Sequence, residues 1–135
     1  MPVRGIRGAV PVRTNTRPAI AAATRGLLQR MVSLNGVGLS DIAGVILTAT
    51  PDLNADFPAT AIRAGGWRDV PLLCAQEIDV PGSMRSLIRA LIFFNTDRPQ
   101  RDIRHVYLGA AVRLRPDLTS RFALRRIHGP KKNNT

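Results

Sequence analysis

The sequence is poor in the residues on which most catalytic sites depend. Its 135 residues include one cysteine, one tyrosine, two histidines and 4% aromatic residues, and Glu77 is the only glutamate. One cysteine cannot form an internal disulfide, and one cysteine with two distant histidines gives no zinc-binding pattern. A single glutamate excludes a pair of glutamates for acid–base work, and the sequence has no GxSxG, Walker, GxGxxG or HExxH motif. The usual constellations for nucleophilic, phosphate-binding or metal-dependent chemistry are therefore missing.

Long apolar runs are also missing. No segment approaches the length of a bilayer span, and the first ten residues, MPVRGIRGAV, lack the apolar region and cleavage site of a signal peptide. The hydrophobic content of 44% is that of a globular chain of one domain. We therefore expect a cytoplasmic protein with one core and no membrane association.

Positive charge is abundant but unevenly placed. The formal net charge is +11, and residues 119–135 contribute five cations and no acid, which predicts a domain over residues 1–118 followed by a flexible basic tail. Such a charge is typical of nucleic-acid binders, but the aromatic residues do not interleave with basic ones to stack on bases. A basic nucleic-acid-binding module thus remains an alternative function.

The apolar pattern predicts an α+β fold with a mixed sheet of about five strands. A helix is expected from the Thr16 cap to Asn35-Gly36, and a shorter one between Pro58 and Gly65. The strands are expected at residues 3–10, 42–49, 70–80, 87–94 and 103–108. The segment 42–49 is apolar on both faces, which predicts a strand covered on both sides.

Two charged residues interrupt apolar strands. Glu77 lies in the segment 70–80, which reads as a buried strand, and Arg89 lies in the run 87–94. A buried carboxylate must be paired, protonated or bound to a ligand, so the two opposite charges are expected to meet each other or a shared ligand. A structural ion pair and a functional site both remain open at this stage.

Other candidates carry weaker signals. Period two places Arg7 and Arg4 on opposite faces of the first strand, so one of them should point inward or toward a partner. Phe57 and Arg63 lie in a turn-rich loop and short helix, although a phenylalanine before a helix is often a hydrophobic staple. His105 is more often structural than catalytic in such a strand.

Together these residues resemble the monofunctional chorismate mutases of the AroH class, the small trimeric type found in Bacillus. The resemblance covers most of residues 3–118 and rests on five segments: RGIRGA (4–9), LTATPDLNADFPATAIR (47–63), GWRDVPLLCAQEIDV (66–80), IRALIFFNTD (88–97) and IRHVYLGAAVRLRPDL (103–118). Thr60 stands where the family often has lysine, and Leu73 where it has threonine. The segment from Thr119 onward has no counterpart.

The resemblance implies a sheet with helices on one side, three subunits forming a pseudo-α/β-barrel, and active sites in the clefts between them. Cys74 and Glu77 are three residues apart, so period two sends them to opposite faces of one strand. A site shared between neighbouring subunits would accommodate both residues.

The implied reaction is the Claisen rearrangement of chorismate to prephenate, which needs no cofactor and no metal. By motif position, Arg89 is the catalytic cation beside the breaking C–O bond, and Glu77 orders Arg89 and accepts the ring hydroxyl of the substrate. Arg7 and Tyr107 hold carboxylates. The remaining implied contacts are Phe57, Ala59, Arg63, Leu73, Cys74, Ala75, Gln76, Leu114 and Arg115.

A second enzyme class, the trimeric Rid-type imine deaminases, also grips a carboxylate with an arginine at a subunit cleft. The signature of that class is missing from the sequence, but it stands with nucleic-acid binding as an alternative.

Overall fold

The computed structural model describes residues 1–115. The predicted domain end at residue 118 and the predicted tail 119–135 lie outside the described residues. The elements are strands and helices β1 (Val3–Pro11), α1 (Arg17–Asn35), β2 (Ile42–Ala49), α2 (Ala59–Ala64), β3 (Leu72–Gln76), β4 (Leu87–Asn95) and β5 (Val106–Tyr107), with 3-10 turns at Leu39–Asp41, Gln100–Asp102 and Gly109–Leu114.

The five strands form one mixed sheet in the order β3-β2-β4-β1-β5. The central strand β4 runs antiparallel to both β1 and β2, whereas β3 is parallel to β2 and β5 is parallel to β1. The predicted α+β class and the mixed five-stranded sheet are confirmed. Strand β4 lies at the centre of this sheet, so it contacts neighbours on both edges.

Helix α1 begins and ends where its sequence predicts. The Thr16 side chain accepts a hydrogen bond from Ala19 N at 3.2 Å, and Gly36 closes the helix with a φ of 62°. A left-handed residue at this position suits glycine, which lacks a Cβ. Leu27, Leu28 and Met31 are at most 1% exposed, so one stripe of the helix lies against the sheet.

Both α-helices contact the same face of the sheet, which we call the covered face. The even-numbered residues of β1 and β4 point into this core, and they include Ile6, Ile92 and Phe94. Gly8 permits the close approach of α1, since a Cβ there would lie 2.4 Å from Met31 Sδ. The prediction of helices on one side is confirmed.

Within residues 1–115, no α-helix lies on the opposite face, which we call the open face. The 3-10 turn Gly109–Leu114 covers one end of it over Ala9 and Leu87. Elsewhere it is only partly shielded: Ile46 of β2 is half-buried, and Leu73 of β3 is 63% exposed. The prediction that β2 is covered on both sides is therefore not met within one chain.

The prediction of a buried strand over residues 70–80 was wrong. Strand β3 has five residues, Leu72–Gln76, and lies at the edge of the sheet. Its run of apolar letters is typical of a central strand, but exposure in one chain depends on which strand pairs with which. Glu77 consequently follows the strand instead of lying inside it.

Candidate active site

The register of the sheet places Arg89 in the middle of the open face. Arg89 pairs with Thr48 of β2 on one side and with Ala9 of β1 on the other. Ala9 in turn pairs with Tyr107 of β5, while Thr48 pairs with Ala75 of β3. Because residues in register on adjacent strands share a face, this row crosses the open face.

Glu77 reaches this row from the end of β3. Its backbone N–H donates to Ala49 O at 2.9 Å, which continues the β2 ladder for one residue beyond the strand. Its carboxylate oxygen Oε2 lies 3.5 Å from Arg89 Nε and also accepts a hydrogen bond from the Thr48 hydroxyl. The expectation that Glu77 and Arg89 meet each other is confirmed, although neither side chain is fully buried: 22% of Glu77 and 46% of Arg89 is exposed.

These groups surround a cavity of about 270 Å³, which we call the Arg89 cavity. Its lining combines two cations, one carboxylate, one threonine and one tyrosine with apolar strand residues: Arg7, Gly8, Ile46, Thr48, Glu77, Arg89, Ala90, Leu91 and Tyr107. Four of the residues predicted from the sequence, namely Arg7, Glu77, Arg89 and Tyr107, come together here. The arrangement can hold an anion and place a fixed positive charge beside it.

His105, the residue just before β5, joins β5 to β1 beside this cavity. The Arg7 backbone N–H donates to His105 Nδ1 at 2.9 Å. His105 therefore helps to fix the strand that carries Arg7, in agreement with its predicted structural role. The prediction that Arg4 and Arg7 face opposite ways also holds, since Arg4 donates from Nε to Arg98 O while Arg7 lines the cavity.

A second, larger cavity of about 480 Å³ lies at the end of β2 and β3, and we call it the Phe57 cavity. Phe57, Cys74, Ala75 and Gln76 line it, together with the loop that follows β2 and the start of α1. Phe57 is 70% exposed, so it is not a hydrophobic staple. Cys74 and Glu77 thus line different cavities, as the prediction of opposite faces requires, although Glu77 lies beyond the strand.

A hydrogen-bonded latch ties the loop of the Phe57 cavity to the strand of the Arg89 cavity. Asp52 accepts from Ser86 N at 2.9 Å and from Ser86 Oγ at 2.8 Å. Ser86 has a φ of 54°, a strained conformation for a residue with a Cβ, and these bonds offset its cost. Burial raises the pKa of Asp52, but hydrogen bonds from Thr50 and Ser86 outweigh it and lower that pKa from 3.8 to about 2.

Five of the predicted contact residues line neither cavity in the single chain. Ala59, the first residue of α2, is fully buried, which does not fit a substrate-contacting wall, and Arg63 is exposed on the same helix. Leu73 is exposed on the open face. Leu114 packs in the small cluster beneath the last 3-10 turn, and Arg115 is half-buried just after it.

Thr48 is the polar residue of the Arg89 cavity that sequence reasoning missed. Its hydroxyl contacts Glu77, and its side chain lines the Arg89 cavity. The available signal was one polar residue in the otherwise apolar strand 42–49, on the face opposite Leu47. Its importance became visible only with the pairing of β2 and β4.

Among residues 1–115, no group of three or more His, Cys, Asp or Glu side chains is arranged to hold a metal ion. Within the same range, no helix has the length and apolarity needed to cross a bilayer.

Comparisons with known proteins agree on one family. The family model for chorismate mutase type I matches residues 3–118. The chorismate mutase AroH of Thermus thermophilus is 54% identical over 119 residues, covering 87% of this chain and 98% of the relative, and that of Bacillus subtilis (strain 168) is 46% identical over 120 residues, covering 88% and 94%.

A solved structure gives the same result. The chorismate mutase from Clostridium thermocellum superimposes with a TM-score of 0.77 at 48% identity, covering 79% of this chain and 96% of that one. A family match of this extent decides against the Rid-type deaminase and the nucleic-acid-binding module. The chain therefore belongs to the type I chorismate mutase family and has the function of a chorismate mutase, an isomerase.

Proposed function

We propose that the Arg89 cavity binds chorismate and catalyses its Claisen rearrangement to prephenate. The observation that carries this proposal is the convergence of Arg7, Glu77, Arg89 and Tyr107 on one cavity of the open face. Chorismate carries two carboxylates, a ring hydroxyl and an ether oxygen. Two guanidinium groups, a phenol and a carboxylate match those groups in charge and hydrogen-bonding capacity.

The reaction is unimolecular, so the chain has no bond to make with its substrate. The ether C–O bond breaks while a C–C bond forms, and electrons move in one cycle without an oxidant, a reductant or a proton donor. Negative charge grows on the ether oxygen as the C–O bond lengthens. A cation fixed beside that oxygen therefore binds the transition state more tightly than the substrate, which lowers the barrier.

Arg89 is the group placed to supply that charge. Its position on the central strand is fixed by pairing on both sides, with Ala9 and with Thr48. Glu77 lies 3.5 Å from Arg89 Nε, beside one edge of the guanidinium, which leaves the other N–H groups available to the substrate. Glu77 also accepts the ring hydroxyl of the substrate.

Arg7 and Tyr107 bind the carboxylates. They lie on neighbouring strands at the opposite side of Arg89 from Glu77, and the bond from Arg7 N to His105 Nδ1 braces that side. This arrangement separates the anionic groups of chorismate from the carboxylate of Glu77.

We propose further that the enzyme is a homotrimer and that each active site lies between two copies of the chain. The open face supports this assembly. Val3 and Leu73 are 51% and 63% exposed, and Ile46, Leu91 and Phe93 are only half-buried. Such an apolar sheet face favours burial against another copy. The Arg89 cavity of one chain would then meet the Phe57 cavity of its neighbour, where Phe57, Cys74 and Gln76 form the second wall.

The test is a direct assay with a matched pair of arginine variants. The unmodified protein should consume chorismate. The reaction is followed by the loss of the ultraviolet absorbance of chorismate. Arg89→Lys should lower kcat by roughly a thousandfold, which corresponds to about 4 kcal/mol, because a shifted point charge loses its alignment with the ether oxygen.

Arg85→Lys is the control. Arg85 also contacts a carboxylate, with Nη1 3.4 Å from Asp79 Oδ1, but both side chains are more than half exposed and line neither cavity. This variant should keep its activity to within about twofold, because exposed ion pairs contribute little. Full turnover by a folded Arg89→Lys protein would contradict the mechanism.

A further inference from the structure

Thr48 occupies a distinctive position in the Arg89 cavity. It is the register partner of Arg89, and its half-buried side chain lines the cavity with Glu77. Strand β2 holds it between β3 and β4, so its backbone is fixed by ladders on both edges. The hydroxyl is therefore presented from one of the most constrained points of the open face.

Glu77 is less constrained than Thr48. It follows the last residue of an edge strand, and one backbone bond to Ala49 O anchors it. Its contact with Arg89 is 3.5 Å long, and nearly half of the Arg89 side chain is exposed. A contact of that length between partly solvated groups restricts a side chain weakly. The hydrogen bond from Thr48 to Oε2 supplies the missing constraint.

We propose that Thr48 is a positioning residue for catalysis, acting through Glu77. This inference rests on the proposed function of the Arg89 cavity. The Thr48 hydroxyl donates to Oε2, the oxygen that faces Arg89. The carboxylate is thereby held in one rotamer, which keeps Oε2 against the guanidinium and presents Oε1 to the ring hydroxyl of the substrate. Thr48 itself does not contact the reacting atoms.

The test compares two substitutions at position 48. Thr48→Val keeps the shape and the β-branching that suits a strand but removes the donor. Thr48→Ser removes the methyl group but keeps the donor. Thr48→Val should lower kcat by about tenfold to a hundredfold, the scale expected for a catalytic group displaced by about 1 Å, with KM changed less than kcat. Thr48→Ser should retain most of the activity.

A double variant tests whether Thr48 acts through Glu77. Glu77→Gln should lower kcat by itself, and adding Thr48→Val to it should cost far less than in the unmodified protein. A loss of the same size in both backgrounds would show that Thr48 acts independently and would overturn the inference. So would full activity of Thr48→Val, or equal losses in Thr48→Val and Thr48→Ser.

The result for Glu77→Gln separates the two proposals. If Glu77→Gln turns over chorismate at the unmodified rate, the proposed role of the Arg89 cavity fails and the inference fails with it. If Glu77→Gln is impaired while Thr48→Val is fully active, the inference alone fails. Melting temperatures of all variants, taken at one protein concentration, distinguish a loss of catalysis from a loss of folded protein.

Discussion

The Arg89 cavity and the Phe57 cavity are built in different ways. The Arg89 cavity is formed by side chains of adjacent strands, and its ionic groups contact one another across the sheet. The Phe57 cavity is formed by the loop after β2, the end of β3 and the start of α1, and an aromatic ring that is 70% exposed stands beside it. The Arg89 cavity suits the fixed placement of charge, and the Phe57 cavity suits a wall that matches the shape of a ligand.

This difference has a physical basis. Electrostatic stabilisation depends on the position of a charge to within a fraction of an ångström, which the paired strands of a sheet provide. A wall that excludes water and selects a shape tolerates loops, provided that they are anchored. The Asp52–Ser86 latch is such an anchor, and it joins the loop to the residue just before the strand that carries Arg89.

The largest effect is expected when a defect in the Arg89 cavity and a defect in the Phe57 cavity are placed in separate chains. Arg89→Ala damages the wall formed by the Arg89 cavity, and Gln76→Trp fills the Phe57 cavity. Position 76 is chosen because Gln76 is exposed, whereas Cys74 packs against the core and would tolerate tryptophan poorly. Each variant alone should be inactive. When the two are denatured together and refolded in equal amounts, about a quarter of the clefts in a cyclic trimer combine two intact walls, so activity should return.

The control mixes Arg89→Ala with Glu77→Ala, which damage the same wall. No cleft in that mixture has an intact charged wall, so no activity should return. If subunits exchange yet the first mixture remains as inactive as the second, both walls belong to one chain and the shared-cleft proposal is wrong.

Asp52→Asn tests the link between the two cavities, because it weakens the Asp52–Ser86 latch. At neutral pH the free energy of unfolding should fall by about 1 to 2 kcal/mol, because charge-assisted bonds to Ser86 become neutral ones. The folded pKa of about 2 lies below the value of 3.8 that is ordinary for an aspartate. The contribution of Asp52 is therefore full above about pH 4 and is lost as the pH falls through about 2.

Urea denaturation at several pH values and one protein concentration measures this effect. The difference between the unmodified protein and Asp52→Asn should shrink as the pH falls below about 4. Asp79→Asn, which alters only the exposed pair with Arg85, should change stability by a few tenths of a kcal/mol at most. An Asp52 effect that is constant with pH would contradict the latch.

The smallest effect is expected from the basic C-terminal segment. We propose that residues 1–118 form the catalytic unit, a boundary supported by the extent of the family match, and that the five cations of residues 119–135 are dispensable for catalysis. Truncation after Leu118 should leave a trimer with unchanged turnover of chorismate, checked by sizing chromatography and the absorbance assay. Monomers or a large loss of activity would contradict this.

Much of the fold was predictable because its signals are local. The Thr16 cap, the stripe through Leu27 and Met31, and the stop at Gly36 are decided by residues three or four apart, and α1 follows them. The same holds for the existence of β1, β2 and β4, whose apolar runs are bounded by turns. The pairing of Glu77 with Arg89 was also accessible, since a carboxylate and a guanidinium in apolar segments need partners.

The sequence by itself thus determined which segments form helices and strands, that opposite charges would meet, and, through its resemblance, the family. Only the tertiary structure decided that β3 lies at an edge, that Glu77 lies beyond it, and that Thr48 stands opposite Arg89. The reason is that strand pairing joins residues about 40 positions apart, and a shift of one residue would turn Thr48 to the other face. No local pattern in residues 42–49 contains that choice, because it depends on the hydrogen bonds that β2 makes with β4.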